Sequence, residues 1–80
     1  MQDKDQFSVE SKVLEIVKGV LNEDVTENSS VQNIVSWDSL AYMAILSCVE
    51  DEFGIEVSGN NINNFDSITN IISEIENGKK

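Results

Sequence analysis

The chain contains no histidine, no proline and only one cysteine, Cys48. Without histidine it lacks the usual general base, the Ser–His and Cys–His nucleophile pairs and the commonest zinc ligand, so neither an enzyme nor a metal site is expected. A single cysteine cannot form an internal disulfide, which is typical of a cytoplasmic protein. Cys48 falls on the flank of a predicted helix, where we expect a buried or half-buried packing role.

Basic residues are scarce as well. Five Lys and Arg stand against 15 Asp and Glu, which gives a formal net charge of −10. Binding to nucleic acid or to anionic lipid requires basic surface, so neither partner is expected. Basic protein surfaces fit this charge better. No apolar run approaches the roughly eighteen residues of a membrane span, and the first five residues are not those of a signal peptide.

Apolar residues nevertheless make up 40% of the 80 residues. This fraction is enough for one folded domain over residues 1–80, with a frayed segment over 1–7 and a small core. The absence of proline and of any alternating strand pattern favours an all-α fold.

The stretch from Ser36 to Phe53 predicts the central helix. Asp38 or Ser39 is suited to the N-cap, and Gly54 to the helix stop. The apolar face predicted to meet the core consists of Tyr42, Ile45, Leu46, Val49 and Phe53. A second stripe on the opposite face consists of Leu40, Met43, Ala44, Ser47 and Asp51. It holds two large apolar residues where a surface helix is usually charged, which suggests contact with a partner.

The remaining segments are shorter or less regular. Ser8 caps a predicted first helix over residues 9–21, and a long loop follows from Asn22 to Trp37. We expect four loop residues to act as apolar anchors: Val25, Val31, Ile34 and Val35. Residues 58–64 predict one short helical turn anchored by Ile62, and Asp66 or Ser67 caps a final helix that ends at Gly78. The sequence therefore predicts a small four-helix bundle with a long loop between helices one and two and a short third helix.

Three carboxylates, Glu50, Asp51 and Glu52, lie at the end of the central helix, where the helix dipole disfavours negative charge. They form either a solvated acidic face or part of a surface for basic partners.

Ser39 is a primary hydroxyl at the start of this helix, where backbone N–H groups would stabilise a phosphodiester. The sequence Trp37-Asp38-Ser39-Leu40, which opens an amphipathic helix ending Glu50-Asp51-Glu52-Phe53-Gly54-Ile55, resembles the acyl carrier protein family. The order of the predicted helices, the chain length and the acidity agree with this resemblance over nearly the whole chain.

The resemblance implies that a phosphopantetheinyl transferase esterifies Ser39 with 4′-phosphopantetheine from coenzyme A, with Asp38 and Leu40 flanking the attachment site. The thiol of that arm, rather than Cys48, would carry an acyl cargo as a thioester between enzymes of a biosynthetic pathway. The second stripe would dock these partners, namely acyl-loading ligases or acyltransferases and downstream enzymes with basic surfaces. The gap beside Ile62 would shelter the cargo. A monomer is expected.

Ala41 and Ala44 stand where fatty-acid carriers often have acidic residues, so a specialised pathway is expected rather than primary fatty-acid synthesis. Other functions remain open. The chain could be an aminoacyl or peptidyl carrier loaded by an adenylating ligase, or an unmodified acidic helical adaptor that uses Leu40 and Met43. It could also be an acidic mimic of nucleic acid.

Overall fold

Three α-helices and one 3₁₀ turn form the protein in a computed structural model, which describes residues 4–78 and the side chains of residues 9–77. The helices are α1 (Lys4–Leu21), α2 (Ser39–Phe53) and α3 (Ile68–Gly78). The 3₁₀ turn is Ile62–Asn64. Residues 4–78 contain no β-strand, which confirms the all-α prediction. The short helical turn predicted over residues 58–64 is this three-residue 3₁₀ turn, so the described residues form three α-helices and one turn where a four-helix bundle was predicted.

Helix α1 begins five residues earlier than predicted, at Lys4 instead of Val9, so Ser8 lies inside the helix and is not its N-cap. The polar residues of the first turn carry no apolar period, and this is why the pattern did not include them. Residues 4–7 of the segment predicted to be frayed belong to this helix, and residues 1–3 lie outside the described residues.

The core lies between the three helices, because α1 packs against both α2 and α3. Its buried apolar residues are Val9, Val13, Val17, Leu21, Trp37, Ile45, Leu46, Val49, Phe65, Ile68, Ile71 and Ile75. Tyr42 and Phe53 are half-buried at the edge of the core. The predicted inner face of α2 is thus confirmed. Among the described residues, no helix is long and apolar enough to cross a membrane.

The long connection between α1 and α2 is fastened to the start of α3. The Ile68 amide donates to the Ser29 carbonyl at 3.1 Å, and the Val31 amide donates to the Asp66 carbonyl at 3.0 Å. Ser29, which the sequence did not single out, is buried as a result. These bonds close the loop over the bundle and satisfy one free N–H of the first turn of α3.

Three of the four predicted loop anchors, Val25, Val31 and Ile34, are half-buried against the core. The fourth prediction is wrong, because Val35 is 97% exposed. The Trp37 amide donates to the Ile34 carbonyl at 3.1 Å, which closes a tight turn. Val35 and Ser36 occupy the two corner positions of that turn, and their side chains consequently point to solvent.

The helix ends follow the capping rules. Asp38 is the N-cap of α2, since its Oδ1 accepts from the Ala41 amide at 3.0 Å. Gly54 ends the helix in the left-handed region (φ 65°) and its amide donates to the Glu50 carbonyl at 2.8 Å. Ser67 Oγ accepts from the Asn70 amide at 3.1 Å and so caps α3. The sequence offered Asp38 or Ser39 as the cap of α2 and Asp66 or Ser67 as the cap of α3. In the structure the caps are Asp38 and Ser67.

Candidate functional site

Ser39 is the first residue of α2, and its side chain is exposed. The Asp38 cap uses the Ala41 amide, and the Tyr42 amide donates to the Asp38 carbonyl at 2.8 Å. The amides of Ser39 and Leu40 belong to the same first turn, whose N–H groups have no partner within the helix. A phosphodiester on the Ser39 hydroxyl would therefore lie at the positive end of the helix dipole.

A cleft of about 490 Å³ opens beside Ser39. It lies between α2, the end of the long loop and the 3₁₀ turn. Its lining residues are Val31, Trp37, Asp38, Ser39, Tyr42, Met43, Ile62 and Asn63. Most of these side chains are apolar, so the cleft can take up an apolar group that is attached to Ser39.

Trp37 forms part of this cleft and is only 3% exposed. It lies two residues before Ser39, at the end of the long loop that leads into α2. Its indole N–H has no hydrogen-bond partner among the described residues. A buried donor without a partner costs about 1–3 kcal/mol, so this group is an unusual feature of the site.

Tyr42 lies one helical turn after Ser39 and joins α2 to the 3₁₀ turn. Its hydroxyl donates to the Ile62 carbonyl at 2.6 Å and accepts from the Phe65 amide at 3.2 Å. Burial raises the pKa of Tyr42 above its ordinary value, although the Phe65 bond acts in the opposite direction. The folded state thus favours the neutral phenol. Tyr42 therefore contributes to stability below the pKa that it has in the unfolded chain, and this contribution is lost as the pH rises through the raised pKa of the folded state.

The second stripe of α2 lies on the surface. Leu40 is 83% exposed and Met43 is 54% exposed, and Ala44, Ser47 and Asp51 are exposed as well. Leu40, Met43 and Val35 are the large apolar residues that the described chain exposes most. Leu40 and Met43 thus expose apolar surface on the first turns of α2 that follow Ser39. Val35, a loop residue that sequence reasoning had assigned to the interior, is exposed four residues before Ser39.

The packing role predicted for Cys48 is wrong, because this residue is exposed. Successive residues of a helix are about 100° apart, and Cys48 is thereby turned away from the interface that its neighbour Val49 occupies.

The acidic run at the end of α2 divides into different roles. The Glu50 carboxylate accepts from the Val57 amide at 3.1 Å and holds the segment that follows Gly54. Glu52 pairs with Lys12 of α1 at 2.9 Å. That hydrogen bond, together with the charge of Glu52, raises the pKa of Lys12. Asp51 is exposed. Two of the three carboxylates thus make contacts within the fold.

Comparison with known proteins places the chain in a family. The model of a family described as "phosphopantetheine attachment site" matches residues 11–75. The acyl carrier protein of Buchnera aphidicola subsp. Schizaphis graminum (strain Sg) is 30% identical over 76 residues, which cover 91% of this chain and 96% of that protein. The chain belongs to the acyl carrier protein family. Its cofactor is therefore 4′-phosphopantetheine, which such carrier proteins hold through a covalent bond.

The residues around Ser39 of this carrier protein fit the cofactor. An exposed hydroxyl is available for the ester, the start of α2 suits the phosphate, and the apolar cleft beside it suits the arm or its cargo. In the described part of the chain, no cluster of three or more His, Cys, Asp or Glu residues could hold a metal ion.

Sequence reasoning missed the contributions of Val31, Tyr42 and Asn63 to the cleft. Val31 and Tyr42 had been assigned to packing alone, and nothing in the local pattern distinguishes them. The cleft arises where the loop and the 3₁₀ turn approach α2, so tertiary contacts determine its lining.

Proposed function

We propose that Ser39 is the residue that carries the 4′-phosphopantetheine arm. The observation that supports this assignment is the position of its exposed hydroxyl at the first residue of α2, at the edge of an apolar cleft. In the reaction, the Ser39 oxygen forms a bond to the phosphorus that bears the pantetheine. The pyrophosphate bond of coenzyme A breaks, adenosine 3′,5′-bisphosphate leaves, and the serine proton passes to a base supplied by the transferase. Asp38 and Leu40 position this residue from either side, with Asp38 acting as the helix cap.

The cargo that fits this carrier is an acyl group held as a thioester on the arm. The cleft walls formed by Val31, Met43 and Ile62 are apolar, and the carboxylate of the lining, Asp38, is already engaged as the cap of α2. This argument favours an acyl cargo over the aminoacyl alternative. The protein moves the cargo between enzymes and performs no catalysis itself, as a single carrier domain over residues 1–80.

The pathway is a specialised one rather than primary fatty-acid synthesis. Ala41 and Ala44 give the first two turns of α2 no acidic side chain, and Glu50 and Glu52 are engaged within the fold. Partners that recognise this helix therefore meet a surface that is apolar near Ser39 and acidic at Asp51.

The docking surface consists of Leu40, Met43, Ala44, Ser47 and Asp51, together with Val35. Its partners are a phosphopantetheinyl transferase, a loading ligase or acyltransferase, and downstream enzymes. Exposed apolar side chains beside the attachment residue can supply contact area to each of these partners. The net charge of −10 steers partners with basic surfaces towards the carrier.

Intact mass tests the attachment site. The purified chain is incubated with coenzyme A and a promiscuous phosphopantetheinyl transferase, beside Ser39→Ala and Ser47→Ala. Ser47 is a matched control, because it is also an exposed serine of α2. We expect one phosphopantetheinyl group on the wild type and on Ser47→Ala, and none on Ser39→Ala. Modification of Ser39→Ala would overturn the assignment, and no modification of any chain would favour the adaptor function.

The cargo class is tested by loading. The modified protein is incubated with acyl and aminoacyl ligases, and the thioester is followed by mass. We expect acyl adducts to form. Loading by amino acids alone would contradict the acyl proposal while leaving the carrier role intact.

A further inference from the structure

Two clefts lie along α2 and share two lining residues, Met43 and Ile62. The first is the cleft beside Ser39. The second measures about 320 Å³ and is lined by Met43, Leu46, Ser47, Glu50, Val57 and Ile62. A chain that starts from Ser39 meets the first cleft at the beginning of α2. The second cleft lies further along the helix, and Met43 and Ile62 are the residues at which the two clefts adjoin.

The two shared residues differ in how firmly they are held. Met43 is 54% exposed and unbranched, so its side chain can turn aside at little cost. Ile62 is half-buried and β-branched, and its backbone carbonyl accepts the 2.6 Å hydrogen bond from Tyr42. Ile62 is therefore the stiffer wall of the passage between the clefts.

Tyr42 holds both ends of the segment 62–65. Its hydroxyl bonds the Ile62 carbonyl at one end and the Phe65 amide at the other. Phe65 is 1% exposed and would remain anchored by its own packing if the hydroxyl were removed. Ile62 has no such burial, so the Tyr42 bond has more influence on its position.

The Ile62 amide donates to the Ser58 carbonyl at 2.9 Å, a bond within the same segment that does not tie Ile62 to a helix. The remaining bonds to this part of the chain are made by its neighbours. Glu50 accepts from the Val57 amide, and Glu74 of α3 accepts from the side-chain amides of Asn61 and Asn64 at 3.3 and 3.1 Å. These contacts hold the residues on either side of Ile62 at the protein surface. The hydroxyl of Tyr42 is the side-chain group bonded to the Ile62 backbone among the described residues.

We propose that Tyr42 sets the length of acyl chain that the carrier shelters, because its hydrogen bonds hold Ile62 across the passage from the first cleft to the second. Short chains occupy the first cleft. Longer chains must displace Ile62 and work against these bonds, so they stay partly exposed. This inference rests on the proposed attachment of the arm to Ser39.

The test compares wild type with Tyr42→Phe, which keeps the ring and removes the hydroxyl. Each modified protein is loaded with butanoyl, octanoyl or dodecanoyl groups, and thioester cleavage by hydroxylamine is timed. In Tyr42→Phe we expect dodecanoyl cleavage to slow by about three- to tenfold, the effect of one or two net hydrogen bonds. Butanoyl cleavage should not change, since that chain does not reach Ile62.

Two further variants distinguish the effect of the Tyr42 hydrogen bonds from a general loosening of the fold. Val17→Ala removes buried contacts of α1 at a residue that lines neither cleft, and we expect it to leave the length profile of wild type unchanged. Ile62→Ala removes the wall and keeps the Tyr42 hydroxyl, and we expect it to slow dodecanoyl cleavage as Tyr42→Phe does. Ile62→Ala carries the test if Tyr42→Phe does not fold.

Deuterium exchange of the Phe65 amide measures the loss of the Tyr42 hydrogen bond directly, because this amide has no acceptor in Tyr42→Phe and should exchange faster. An unchanged length profile in Tyr42→Phe and Ile62→Ala, or an equal shift in Val17→Ala, would overturn the inference while the carrier function stands. Failure of the wild type and of every variant to accept the arm at Ser39 would overturn both this inference and the proposed function.

Discussion

Trp37 combines almost complete burial with an indole N–H that has no partner among the described residues. The ring fills space between the core and the cleft beside Ser39, so its packing stabilises the fold. Its donor has the opposite effect, since desolvation of an unpaired N–H destabilises the folded state. The two contributions can be separated by substitution.

Trp37→Ala removes both contributions, and we expect it to cost about 3–5 kcal/mol of unfolding free energy. Trp37→Phe keeps a six-membered aromatic ring but removes the five-membered ring of the indole together with its N–H. The lost packing is partly offset by removal of the unpaired donor, so a cost of about 1–2 kcal/mol is expected. Urea unfolding followed by circular dichroism measures both changes. Equal costs for the two variants would mean that the six-membered ring of Phe restores none of the packing that Trp37 provides.

Residue chemistry alone predicted the ends of α2. Asp38 has the short acceptor that an N-cap requires, and Gly54 adopts the positive φ that a helix stop requires. Val35 and Cys48 were placed wrongly because their apolar character says nothing about which side of a turn or helix faces the core. Val35 is exposed because the hydrogen bond between Trp37 and Ile34 closes a turn around it. Cys48 is exposed because it lies about 100° around the helix from the buried Val49.

Among the elements, α2 packs against the core with one face and exposes apolar residues on the opposite face. Ile45, Leu46 and Val49 bury one face in the core, while Leu40 and Met43 expose the other. The apolar period of the sequence predicted this division, because it repeats at helical spacing. The start of α1, and the bounds and 3₁₀ geometry of the short helical turn predicted over residues 58–64, could not be predicted in this way. Neither segment has enough periodic apolar residues to define its ends.

Adjacent positions on α2 provide a test of the division. Val49→Ala should destabilise the protein by about 1–3 kcal/mol, because Val49 is fully buried and the change leaves a cavity. Cys48→Ala should change the stability by no more than about 0.5 kcal/mol, since Cys48 is exposed. Urea melts give both values. A neutral result for Val49→Ala, or a large loss for Cys48→Ala, would mean that the faces are exchanged.

The whole molecule carries a net charge of −10, yet its carboxylates are not equivalent. Glu50, Glu52 and Glu74 make hydrogen bonds or ion pairs within the fold, whereas Asp51 lies exposed on the proposed docking surface. Total charge governs long-range attraction, and a local carboxylate governs the contact itself. Composition predicted the first effect, but only the structure separates it from the second.

A matched pair of charge reversals tests this separation. Asp51→Lys should weaken binding to the transferase by about two- to tenfold at low salt, as expected for the loss and reversal of an exposed ion pair. Glu76→Lys makes the same change of net charge on the exposed surface of α3 and should have a smaller effect.

Titration calorimetry at low and high salt measures both variants. The effect of Asp51→Lys should shrink at high salt, where the Debye length falls to about 3 Å near 1 M. Equal losses for the two variants would mean that net charge alone matters, and a loss independent of salt would argue against an electrostatic contact.

The exposed side chain of Cys48 has a practical consequence for chemistry on the intact molecule. Once the arm is attached, the protein presents two sulfhydryl groups to reagents, so a maleimide label or a colorimetric thiol count will report one group before modification and two after it. Air oxidation can also couple Cys48 to the arm of a second molecule and give covalent dimers that resemble assembly. A Cys48→Ser background leaves the arm as the only reactive sulfur and makes its labelling unambiguous.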